Sequence, residues 1–162
     1  MGKTGKTLLV IALLFVLFAC IRVGIGIVHK PDDPKLIQDA LNDAIQASKE
    51  GRPGGVVELF SDNLRLNGTD VSGDQGKIVD FIKNQKPTVV VQDTTPQITG
   101  NEARIISPVS LDLGILGKRN LKDVTLLFRK EDATEFLVIP SPKWRLVEVR
   151  APASVVSELM SP

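Results

Sequence analysis

Leu8 to Val28 is a run of 21 residues, apolar apart from glycines and a single charge at Arg22. As a helix it would reach about 31 Å, enough to cross a hydrocarbon core. From Asp33 the pattern changes. Leu36, Ile37, Ala40, Leu41, Ala44 and Ile45 recur at i, i+1, i+4, i+5 spacing, the stripe of an amphipathic helix. Asp33 suits its N-cap, Pro34 its first helical position and Gly51 its stop. "RPGGVVELF" predicts a turn and a short helical or irregular piece through Phe60. "NLRLNGT" predicts a short strand ending in a turn at Asn67-Gly68. Ile78, Val79, Phe81 and Ile82 mark a second amphipathic helix, closed by Pro87.

Beyond Pro87 the period becomes that of strands. "TVVVQ" is β-branched, Val109, Leu111 and Leu113 alternate with polar residues, and Val124, Leu126 and Phe128 hold one side of a further strand. "EFLVI" and "KWRLVEV" follow, with the Pro-Ser-Pro of Pro140 to Pro142 read as the turn between them. Strands joined by short turns predict an antiparallel sheet. Two helices ahead of it predict an α+β domain with the helices on one face. The chain thus divides into a cytoplasmic N-terminus (1–7), a transmembrane signal anchor (8–28), a linker (29–33), a domain (34–152) and a flexible tail (153–162).

Charge orients this plan. Lys3, Lys6, Arg22 and Lys30 are the charged residues up to position 30, which leaves 16 basic against 19 acidic residues beyond it. Lys3 and Lys6 are the positive flank expected to stay in the cytoplasm, placing the domain outside, periplasmic or extracellular, on a single-pass anchor. Leu8, Leu14, Phe18 and Val28 supply the membrane-facing bulk, and Arg22 can snorkel to the outer interface. "GKTGKT" lacks the glycine and strand that a phosphate loop needs ahead of it. Cys20 opens an alternative, since Leu17 and Ala19 suit a lipoprotein cleavage box. Bulky Phe18 and the apolar "IRVGIGIV" after the cysteine favour the uncleaved anchor.

Composition then removes whole classes of chemistry. Cys20 is the single cysteine, so neither an internal disulfide nor a cysteine metal cluster can form. A weakly acidic domain offers no electrostatic footing for nucleic acid. The single His29 precedes the domain and there is no tyrosine. "NGT" at Asn67 matches a glycosylation sequon, a pattern short enough to arise by chance.

The order of elements, a long helix, "ELFSDNLRLNG", the helix "GKIVDFIKNQ", then strands ending in "KWRLVEVRAP", resembles the nuclear transport factor two-like superfamily over about residues 33–152. The resemblance implies a cone: a curved sheet wrapped against two or three helices, often with an apolar pocket and often dimeric. The stretch from Glu131 to Trp144 departs from the commoner short turn before the last strand. Enzymes of this superfamily rely on Asp, Tyr and His in the pocket. Without the last two, an acid–base pair would have to come from carboxylates, and Asp62 and Asp80 are the candidates. Such acids are ordinarily solvated, so no catalytic role is assigned to them. Phe60, Phe81, Phe128 and Trp144 are expected to fill the core or line a pocket. The expectation is a membrane-anchored, non-catalytic binding or scaffold domain, needing no metal or cofactor, with a homodimer or envelope proteins as partners. The alternatives are a carrier of a small apolar ligand or lipid, or a lipoprotein anchored at Cys20.

Overall fold

The computed structural model describes residues 32–114, 117–135 and 139–152. The proposed anchor, with Leu8, Leu14, Phe18, Cys20, Arg22 and Val28, and the tail from residue 153 lie outside the described residues. Among the described residues no helix is long and apolar enough to cross a membrane.

Helix α1, Asp33–Glu50, buries Ile37, Leu41 and Ala44 of the predicted stripe and adds Ala47 and Ser48, while Leu36 stays exposed at the stripe's margin. Helix α2, Pro53–Val57, is the short piece after Gly51 and begins at a proline. It crosses α1 closely, since a β-carbon on Gly55 would stand 2.7 Å from that of Ala47. Strands β1, Phe60–Leu66, and β2, Thr69–Asp70, form a hairpin across the Asn67-Gly68 turn. Both turn residues have positive φ, 49° and 82°, the geometry in which Asn-Gly joins twisted strands. A single 3-10 turn, Ser72–Asp74, then feeds helix α3, Gln75–Gln85, which ends just before Pro87.

The remaining strands are β3, Thr88–Val91; β4, Gln97–Thr99; β5, Glu102–Asp112; β6, Lys118–Glu135; and β7, Ile139–Arg150. They make one sheet in the order β2-β1-β7-β6-β5-β3, with β4 against β5. Irregular registers between Ser107 and Val109, Leu127 and Phe128, and Phe60 and Arg65 interrupt the long ladders. Such bulges bend the strands that carry them and give the sheet its curve.

Two expectations are corrected. The sheet is mixed rather than antiparallel, because β1 runs parallel to β7. The chain leaves β1 through the hairpin and α3, reaches the far edge at β3, and returns strand by strand, so β7 arrives beside β1 pointing the same way. Second, Pro140 and Pro142 lie within β7 rather than in a turn, opposite Thr134 and Asp132 of β6. The first registered β1–β7 pair is Phe60 with Leu146, so the prolines lie on a stretch where β7 pairs with β6. There a residue without an N–H is tolerated. Lys118 to Lys122 opens β6 at the exposed end of its hairpin with β5, just after the turn where the Leu113 N–H donates to the Gly117 carbonyl at 3.0 Å.

Alternation on β5 sends Ala103, Ile105, Ser107 and Val109 inward and Glu102, Arg104 and Ile106 outward. Ala103, Ile105 and Val109 share one core with Ile37, Leu41 and Ala44 of α1, and Phe128, Trp144 and Leu146 complete it from β6 and β7.

Candidate functional site

The core is filled at one end and hollow at the other. At the start of α1 the Asp33 carboxylate accepts from Lys130 Nζ of β6 at 2.9 Å and from Trp144 Nε1 of β7 at 3.0 Å. The ammonium also stands 5.6 Å from the centre of the indole ring. Asp33 therefore joins the helix to the sheet, where the sequence had suggested an N-cap. Lys130 and the indole donor hold its carboxyl below the usual aspartate range. Trp144 and Phe128 are 4% and 1% exposed and close this end with aromatic bulk.

Two turns further along α1 the stripe shrinks. Ala44 and Ser48, one turn apart, present small side chains where Ile37 had presented a large one. Leu41 and Ile45 of the helix line the same space, and the sheet side carries valines and leucines alike, Val89 and Val91 from β3, Val109 and Leu111 from β5, and Val124 and Leu126 from β6. The two surfaces do not meet, and an apolar cavity of about 370 Å³ remains. Val56 of α2, Phe60 and Leu66 of β1, and Val149 with Ala151 at the end of β7 line its other side. Ser48 carries the one polar side chain in the lining, and its hydroxyl donates to the Pro87 carbonyl at 2.8 Å. No lining residue is titratable. Such a site can exclude water and hold apolar surface, and its lining offers no proton to give or take.

Of the aromatic candidates, Phe60 lines the cavity. Phe128 and Trp144 are core, and Phe81 is half-buried on α3 away from the lining. Asp62 is exposed in a separate polar groove of about 480 Å³, with Glu58, Gln75, Glu131, Asp132 and Arg145. Several of these groups already have partners. The Ser61 hydroxyl donates to Glu131 at 2.7 Å, Lys143 pairs with Glu58 at 3.3 Å, and Arg145 donates to the Glu58 carbonyl. Asp80 is exposed on α3, and the fold does not bring it into that groove. Neither acid faces the apolar cavity. Among the described residues no group of three or more His, Cys, Asp or Glu side chains is placed to hold a metal ion. The Asn67 amide is engaged within the fold, donating to the Ala151 carbonyl at 3.0 Å and accepting from the Ala151 N–H at 2.8 Å.

The aliphatic lining went unnoticed in the sequence, where aromatic residues drew attention. The available signal was the run of aliphatic residues on one stripe of α1 and on the inward positions of the later strands.

No protein-family model and no curated protein sequence matches the chain. Solved structures do. An NTF-2 like protein of unknown function from Shewanella oneidensis is 15% identical, with a TM-score of 0.54, over 72% of this chain and 96% of that one. The S. rosetta CaMKII hub is also 15% identical, with a TM-score of 0.54, over 76% and 98%. A conserved protein from Planctomyces limnophilus is 12% identical, with a TM-score of 0.53, over 73% and 93%. At these identities the likeness speaks for architecture alone, and the architecture is the nuclear transport factor two-like fold, an α+β cone of helices against a curved mixed sheet.

Proposed function

We propose that this chain is a membrane-anchored binding domain, displayed outside the cytoplasm, whose cone holds a small apolar molecule and performs no chemistry on it. The observation that carries the reading is the 370 Å³ cavity with an aliphatic wall and no titratable side chain. Filling such a space with apolar surface is favourable by about 25 cal/mol for each Å² removed from water. The apolar run Leu8–Val28 and its basic flank support the anchoring part of the proposal. Organic extraction of the purified full chain is expected to release a small apolar molecule in an amount near that of the protein. The Leu111→Trp variant, which fills the cavity from β5, should release none. Equal yields from both would overturn the reading.

A second reading, a scaffold that self-associates, is favoured by the outer face of the sheet. Ile106 of β5 and Val90 of β3 are 45% and 52% exposed there. The structural neighbour named as a hub lends this reading a precedent for the architecture. Both readings are compatible, since they use opposite faces of the sheet.

A further inference from the structure

Taking the cavity as a binding site, as proposed above, its one polar side chain decides which apolar molecules suit it. We infer that Ser48 selects a ligand carrying a hydrogen-bond donor, a lipophilic alcohol, over one that can only accept. Ser48 sits among the buried residues of α1, is 5% exposed and belongs to the cavity lining. A serine inside a helix often returns its proton to the carbonyl one turn back. Here the hydroxyl reaches across the fold instead and donates to the Pro87 carbonyl at 2.8 Å. Pro87 is buried between the end of α3 and the start of β3, so packed elements hold both partners.

That bond fixes where the proton lies. A carbonyl oxygen can only accept, so the Ser48 hydrogen points at Pro87 and the hydroxyl oxygen keeps its lone pairs. No donor among the described residues is bonded to that oxygen. Every other side chain in the lining is hydrocarbon. The site therefore presents one acceptor and no donor. A ligand hydroxyl can donate to it, a bond that raises affinity about two- to tenfold. The oxygen of a ketone, ether or ester gives up its water and meets an oxygen with no proton to share. A carboxylate brings in addition a charge to a wall without a cation.

The test compares alcohols with the ketones of the same skeleton, 2-nonanol with 2-nonanone and 2-adamantanol with 2-adamantanone. Each is titrated calorimetrically into the full chain in bilayer nanodiscs, and the filled Leu111→Trp variant supplies the membrane background. Ser48→Ala removes the acceptor. Ser48→Cys keeps a weak donor toward Pro87 and offers a sulfur that accepts poorly, so it serves where loss of the Pro87 bond unfolds the alanine form. Circular dichroism of each variant used should match that of the native chain. For every skeleton that binds, the alcohol-to-ketone affinity ratio should be about two- to tenfold higher in the native chain than in the Ser48 variants. Ratios equal in native and variant proteins, or higher in the variants, would overturn selection by Ser48 and leave the cavity standing as a binding site. No binding of any probe above background would remove both this inference and the proposed function beneath it.

Discussion

Asp33 takes hydrogen bonds from two strands at once, and this makes it the residue on which the helix–sheet joint depends. Its carboxyl is held low first by the Lys130 ammonium and then by the Trp144 indole N–H. A carboxyl lowered in the folded state stabilises the fold above the pKa it has when unfolded. That contribution is lost as pH falls through the lower, folded value. Asp33→Asn keeps the shape and removes the charge, leaving Lys130, 23% exposed, without its anion. The expected cost is about 1–2 kcal/mol at neutral pH, discounted for partial exposure. Urea titrations of both forms should show this gap closing below pH 4, once the native carboxyl is itself protonated. A gap that stays constant down to pH 2 would mean that the charge contributes nothing. Asp33 was visible in the sequence as a helix start. Its partners were not, because they stand 97 and 111 positions away.

At the scale of elements, local pattern decided most of what formed. The stripes of α1 and α3, the Asn-Gly hairpin of β1 and β2, and the alternation of β5 all follow from spacing within a few residues. Pairing was less legible. The parallel β1–β7 ladder joins segments some eighty residues apart, as in Leu66 with Val149, and no local signal marks it. Pro140 and Pro142 read as a turn because proline usually breaks strands, yet their stretch of β7 pairs with β6 alone in the described register. The outward face of β5 carries the scaffold reading. Ile106 stands exposed beside a buried Thr125 on β6 and an exposed Arg150 beyond it on β7. Ile106→Arg should convert chemically cross-linked dimers of the full chain to monomers while changing stability by no more than about 0.5 kcal/mol, as surface changes do. An unchanged cross-linking pattern would retire self-association through this face.

For the whole molecule the predictions concern attachment. An uncleaved anchor predicts that protein extracted from membranes has the mass of all 162 residues, 17.6 kDa. It also predicts that protease added outside spheroplasts removes the domain. A species beginning at Cys20 with added acyl mass would replace the anchor with a lipid, and a protected domain would reverse the topology. A small apolar ligand of the kind proposed would give the tether a use, since such molecules partition into the bilayer beside which the domain would be held. The sequence by itself determined the two amphipathic helices and the Asn-Gly turn, that the domain is α+β, that it resembles the nuclear transport factor two-like fold, and that it lacks the tyrosine and histidine of that fold's enzymes. Those properties are written in spacing and in composition, which a single chain displays directly. Tertiary structure alone decided that β1 lies beside β7, that Asp33 joins helix to sheet, and that an apolar space remains between α1 and the strands. A cavity is the space left when two surfaces fail to touch, and no stretch of one surface records its distance from the other.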